Sequence, residues 1–182
     1  ADAGIGGREA FGAAYCGTAY GGVATRHRVL GALGLTGGPI LDVEAGCARG
    51  AAALGLGAAA IASGEHDTVL VFGVEVMPKG MIRSSFFAPW QERAGLTPAP
   101  AYFALRAQRL LRESSLVIED LAQVVVKNRA AGVYNPDAMF RSQVTVEEGL
   151  GSRLVCDPLC LFMLCSPNEG AAAVVLSRAD GA

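Results

Sequence analysis

The chain has 182 residues, with 15 Lys and Arg against 17 Asp and Glu, and 52% of its residues are hydrophobic against 18% charged. That balance excludes intrinsic disorder and suits one ordinary globular domain with a core of its own. The net charge of −2 and the lack of a basic run argue against a nucleic-acid groove or binding to an anionic membrane surface.

The first apolar stretch is Ala13 to Gly17, closed by a turn at Gly21-Gly22. From Val23 to Leu35, apolar positions at Val29, Leu30, Leu33 and Leu35 among basic ones predict a short helix, broken by Gly37-Gly38-Pro39. Pro39 to Val43 reads as a strand. A helix is predicted over Ala48 to Ser63, with Gly64 at the position of a left-handed cap. Its interior glycines, Gly50, Gly55 and Gly57, each cost roughly 0.5–1 kcal/mol against alanine, which a helix tolerates where something approaches it closely. Lacking a charged face between Arg49 and Glu65, it is expected to be buried all round. Thr68 to Val74 is a β-branched run of the buried-strand kind, so strand, helix and strand form a βαβ unit with parallel strands.

Met77 to Pro100 holds four prolines together with Phe86, Phe87 and Trp90, and reads as an inserted loop region. Tyr102, Leu105 and Leu110 among arginines predict an amphipathic helix; Ile118 to Ala131 predicts another, ending before Asn135-Pro136. Thr145-Val146-Glu147-Glu148 fits a capping box, and Gly170 to Ser177 reads as a last buried strand. The start of the chain lacks the layout of a signal peptide, and the longest uncharged run, Gly50 to Gly64, is shorter than the roughly 20 apolar residues of a membrane span. Five cysteines without a secretory signal suggest free thiols in a reducing cytoplasm.

Cys47 is the leading chemical candidate. It stands where a strand turns into a helix, and the free N–H groups and dipole of a helix start favour a thiolate there. The plainer reading of the same residue is a small buried hydrophobe. Gly55-Leu56-Gly57-Ala58-Ala59-Ala60 matches a dinucleotide fingerprint by letters but lies in mid-helix, so it is rejected. Cys156, Cys160 and Cys165 lack the ligand pairing of a structural zinc site, and no metal is expected. His27 and His66 read as solvated surface, and Asp157 and Glu169 as solvated or capping acids.

The segment Asp42 to Gly50 with Cys47 inside it, then Ile61-Ala62-Ser63-Gly64 and Val69 to Met77, resembles the nucleophile region of the thiolase superfamily. Val126-Lys127-Asn128-Arg129, Tyr134-Asn135-Pro136 and Cys165 to Leu176 resemble its sterol-carrier-protein-type branch, the lipid-transfer thiolase-like proteins. The resemblance runs in one register from about residue 10 to residue 178. It implies an α/β thiolase-like fold with a mostly parallel sheet and a buried central helix. The chain as a whole, 1–182, would be one N-terminal-half domain carrying an inserted loop region at about 77–100. Ala1 to Ile5 is similar to the end of the family's first helix.

The resemblance also implies an activity: acyl-CoA acyltransfer in lipid metabolism, with Cys47 as acyl acceptor and coenzyme A thioesters as substrates rather than bound cofactors. Implied partners are a second copy of the chain in a dimer, or a complementary thiolase-like half supplying the missing base and oxyanion donors. Some members of the branch are instead retro-aldolases of coenzyme A esters working with an OB-fold partner, and a non-catalytic, partner-dependent half is a third alternative. Two positions depart from the family pattern: Arg49 stands where a small residue is usual, and Arg129 where histidine often follows the asparagine. A guanidinium at Arg49 would either lower the Cys47 thiol's pKa or crowd the acyl pocket. Glu75 matches a family acid near the site and reads equally as an ordinary hydrogen-bonding acid. Phe86, Phe87 and Trp90 either cover an acyl channel or simply pack the loop.

Overall fold

The computed structural model describes residues 11–35, 37–80, 83 and 87–179. The reading of Ala1 to Ile5, and that of Phe86, fall outside the described residues. The chain divides into two compact units, one formed by 1–78 with 168–182 and the other by 79–167.

In the first unit the strands β1 (Ala13–Gly17), β2 (Ile40–Val43), β3 (Thr68–Val76) and β6 (Glu169–Ser177) form one sheet in the order β2-β1-β3-β6. β1 pairs in parallel with both β2 and β3, and β6 runs antiparallel to β3. Helix α1 (Thr25–Leu33) links β1 to β2, and α2 (Arg49–Ala62) carries the chain from β2 across β1 to β3. Alternation along each strand sorts the core into two layers. Tyr15, Val69 and Val71 pack with Ala53 and Ala60 of α2; Cys16, Leu70 and Phe72 pack with Leu30 of α1. This is why Thr68 to Val74 reads as unbroken hydrophobic sequence: both faces of β3 are covered.

Two expectations are corrected here. Helix α2 is not buried all round: Ala53, Gly57 and Ala60 form its buried stripe, while Leu54 and Leu56 remain about half exposed. Only Gly57 of its glycines meets a tight approach, since a Cβ there would lie 2.8 Å from Val71 Cγ2; Gly50 and Gly55 face open space. The last strand, β6, is exposed over most of its length because it is an edge strand, with Val175 and Leu176 alone packing on the core layers.

The second unit is largely helical. It contains α3 (Pro89–Arg93), α4 (Ala99–Glu113), α5 (Ile118–Gly132), α6 (Val146–Gly151) and a small hairpin of β4 (Leu154–Cys156) and β5 (Leu159–Cys160). The stretch 77–100 is thus not all loop, since it holds α3 and the start of α4. In α4 the buried position is Ala104, with Leu105 and Leu110 about half exposed, so the helix turns Ala104 inward rather than those two leucines. The capping box is present: Thr145 Oγ1 accepts from the Glu148 N–H at 3.2 Å and Glu148 Oε2 from the Thr145 N–H at 2.8 Å. Arg129 lies over the Phe140 ring, 3.9 Å from its centroid, and 5.1 Å from that of Phe162. Among the described residues no helix is long and apolar enough to cross a membrane.

Candidate functional site

The chain leaves β2 at Val43 and makes one tight turn, Gly46–Ala48, before α2 begins at Arg49. Gly46 adopts φ +55, a left-handed conformation that suits glycine. Its N–H donates to Glu44 Oε1 at 2.7 Å, and the Ala48 N–H donates to the Ala45 carbonyl at 3.0 Å. Cys47 sits in the middle of this turn and is exposed. It is therefore not the buried small hydrophobe of the plainer reading.

Exposure separates it sharply from Cys16, which lies 0% exposed in β1. Burial, reinforced by Asp42, pushes the Cys16 thiol up to about 11, with Arg26 opposing. A thiol held there is inert near neutral pH. Cys160 is likewise buried, and its S–H donates to the Leu150 carbonyl at 3.4 Å. All five cysteines are free.

Around the Cys47 turn the structure gathers charged groups from distant parts of the sequence. Arg49 donates through one guanidinium nitrogen to the Gly46 carbonyl at 2.8 Å and pairs through the other with Glu75 Oε2 at 2.7 Å. Glu75, near the end of β3, also accepts from the Ala19 N–H at 2.9 Å, the Tyr20 N–H at 3.0 Å and the Thr18 hydroxyl at 3.4 Å. The pair is only 19% and 12% exposed, which sets it apart from the exposed Arg109–Glu113 pair on α4. The loop after β1, the end of β3 and the start of α2 are thereby tied to one carboxylate. Gly17 closes the arrangement from below: a Cβ there would lie 3.0 Å from the backbone carbonyl of Arg49, so β1 and the first turn of α2 touch backbone to backbone.

Of the residues singled out in the sequence, Cys47, Arg49 and Glu75 come together in this unit. Thr18, Ala19 and Tyr20 carry no signal in the sequence, because they contribute chiefly backbone groups, for which side-chain identity is silent. The Arg49 guanidinium is not free: it is bonded to the Gly46 carbonyl and paired with Glu75. His27 is exposed, but His66 departs from expectation: it is half-buried, and a Cβ on Gly12 would fall 2.6 Å from its Nδ1. His66 lines an open cleft of about 700 Å³ with Tyr15, Leu41, Leu56 and Ser63. Asp157 accepts from Gln108, at 3.1 Å to its carboxylate, and Trp90 is 62% exposed. Phe87 packs on Tyr102 with ring centroids 5.6 Å apart.

No family model matches the chain. The acetyl-CoA acetyltransferase of Methanothermobacter thermautotrophicus is 39% identical over 190 residues, a match that covers 98% of this chain and 49% of that protein. Sterol carrier protein 2 of Gallus gallus is 33% identical over 161 residues, covering 81% of this chain and 29% of that protein. The chain is thiolase-like, of the sterol-carrier-protein branch. A solved Ltp2-ChsH2(DUF35) aldolase has the same fold, with a TM-score of 0.73 over 91% of this chain and 44% of that chain, at 23% identity. The α/β architecture with a mostly parallel sheet is thus that of thiolase-like proteins. This thiolase-like chain spans about half the length of the acetyltransferase it matches and under a third of the sterol carrier protein.

Proposed function

We propose that the protein is a thiolase-type acyltransferase acting on coenzyme A thioesters, with Cys47 as the acyl acceptor. The observation that carries this reading is an exposed cysteine held on a bonded turn at a helix start, in a chain 39% identical to an acetyl-CoA acetyltransferase. The Cys47 sulfur attacks the thioester carbonyl and the bond to the coenzyme A sulfur breaks. The acyl group ends on Cys47, and the thiol proton ends on coenzyme A.

Completing a carbon–carbon condensation or its reverse needs a base as well as an acceptor. Neither histidine is hydrogen-bonded to the Cys47 turn, so we assign the base to a complementary thiolase-like half, in a second copy, a partner chain or a longer form of the protein. Five free thiols suit a reducing compartment.

The test is the intact mass of the 182-residue chain after incubation with acetyl-CoA, followed by peptide mapping, alongside Cys47→Ser. One acetyl group on the Cys47 peptide, absent from the variant, is the expected result. A folded chain that takes none, or takes it equally on the variant, overturns the reading. The retro-aldolase alternative, motivated by the solved aldolase of the same fold, then becomes the better one, and co-purification with an OB-fold protein is its signature.

A further inference from the structure

We propose that Arg49 and Glu75 form a positioning pair that fixes the Cys47 turn for attack on a thioester. The inference rests on the reading of Cys47 as acyl acceptor and adds to it the residues that aim it. Cys47 itself is on a short turn whose left-handed Gly46 contributes no side chain to pack. Two backbone bonds, Ala48 N–H to the Ala45 carbonyl and Arg49 N–H to the Gly46 carbonyl, close the turn, and charged side chains brace it. The Gly46 N–H is bonded to Glu44 and the Gly46 carbonyl to Arg49, so both backbone polar groups of the residue preceding the nucleophile end on ionised side chains. Bonds of that kind are shorter and stronger than neutral ones.

The Arg49 guanidinium would be a loose anchor by itself, having several rotatable bonds. Glu75 removes that freedom. Its two oxygens receive donors from Thr18, Ala19, Tyr20 and Arg49, and three of the four belong to a segment 55–57 residues away in sequence. A carboxylate accepts at both oxygens, whereas the amide of glutamine would turn N–H groups toward N–H groups at one of them. The pair therefore carries the rigidity of the sheet, through β3 and the loop after β1, to the carbonyl one residue before the nucleophile. A displacement of about 1 Å at a reacting centre costs up to roughly 100-fold in rate, which is the scale on which such an anchor acts.

The experiment compares two reagents at the same sulfur. Cys47 acetylation by acetyl-CoA demands a defined approach; alkylation by iodoacetamide demands only an accessible thiolate. Both are followed at the Cys47 peptide by mass spectrometry in the wild-type chain and in Arg49→Gln, Glu75→Gln, the double variant and Arg49→Lys. Each single glutamine variant is expected to slow acetylation about 10- to 100-fold. The double variant should be no slower than the slower single, because the two residues act as one unit. Alkylation rates and their pH profile should stay within about twofold, and Arg49→Lys, keeping the charge but not the fork, should recover part of the lost rate.

Acetylation within about twofold of wild type in both singles overturns the proposal, as do losses that multiply in the double variant. So does alkylation that falls in step with acetylation, which would place the effect on ionisation or folding. Hydrogen exchange keeps the pair testable if the wild-type chain accepts no acetyl group and the acyltransfer reading fails. Glu75→Gln should then speed exchange at the Ala19, Tyr20 and Ala48 amides together by about tenfold, with Val69 and Val71 unchanged. Unchanged exchange at those three, or faster exchange throughout the sheet, overturns the pair.

Discussion

The carboxylate beside the Cys47 turn and the unit spanning 79–167 differ in the reach of their side-chain bonds. Around Cys47, Glu75 gathers distant groups: Thr18, Ala19 and Tyr20, 55–57 residues away, donate to it, and it pairs with Arg49 of α2, while the bonds of Glu44 and Arg49 to Gly46 are local. In the unit spanning 79–167 most side-chain bonds are local. Thr145 and Glu148 cap α6, Asp120 accepts from the Val117 N–H at the start of α5, and Ser114 bonds back to Leu110 at 2.7 Å. Local bonds form as soon as a helix does, whereas long-range ones exist only once the sheet is assembled. A site built on the second kind inherits the stability of the sheet and is lost with it.

Each unit contains a buried free cysteine, Cys16 in one and Cys160 in the other, so the comparison can be broken experimentally. Pulsed alkylation in increasing urea reports when each thiol becomes accessible. The largest effect is expected from Leu30→Ala. Leu30 is 2% exposed and packs with Ala14, Cys16, Leu70 and Phe72, and emptying such a position costs about 2–5 kcal/mol. The Cys16 midpoint should fall accordingly. If the Cys160 midpoint falls by as much, the two units unfold as one and the contrast between them is only one of bonding pattern.

A smaller effect is expected from Gly17→Ala. The new Cβ would press on the Arg49 carbonyl, and overpacking of this kind costs about 1–3 kcal/mol. It should lower the Cys16 midpoint and also slow acetylation of Cys47, because the strain falls on the first turn of α2. Gly31→Ala is the control: that position meets nothing within 4 Å, and alanine in mid-helix should stabilise α1 by about 0.5–1 kcal/mol. A Gly17→Ala chain as stable and as reactive as wild type would mean the backbone contact has slack.

The same contrast explains what could be read from residues alone. The strands over Ala13 to Gly17, Pro39 to Val43 and Thr68 to Val74, the helix from Ala48, and the box at Thr145 are written in local pattern and turn chemistry. The turn holding Cys47 was legible because strand, glycine, cysteine and small-residue helix follow one another directly. The pairing of Arg49 with Glu75 was not, since nothing local says which of 17 acidic residues meets which of 15 basic ones. Burial is not legible wherever it depends on what covers an element. Leu54 and Leu56 on α2, and most of β6, look like core in sequence yet lie open, and α4 buries Ala104 instead of Leu105.

The smallest predicted effect tests the local side of the comparison. Thr145→Ala removes the side-chain oxygen that satisfies the Glu148 N–H, and loss of such a cap costs about 0.5–2 kcal/mol. The strain is transmitted over a short path, because α6 ends near Leu150, whose carbonyl accepts from the Cys160 thiol. The Cys160 midpoint should therefore fall while that of Cys16 stays put. Thr145→Ser, which keeps the oxygen, should restore it. Should the cap variant shift both thiols equally, local bonds would no longer be local in consequence, and the site around Cys47 would depend on the helical unit as much as on its own sheet.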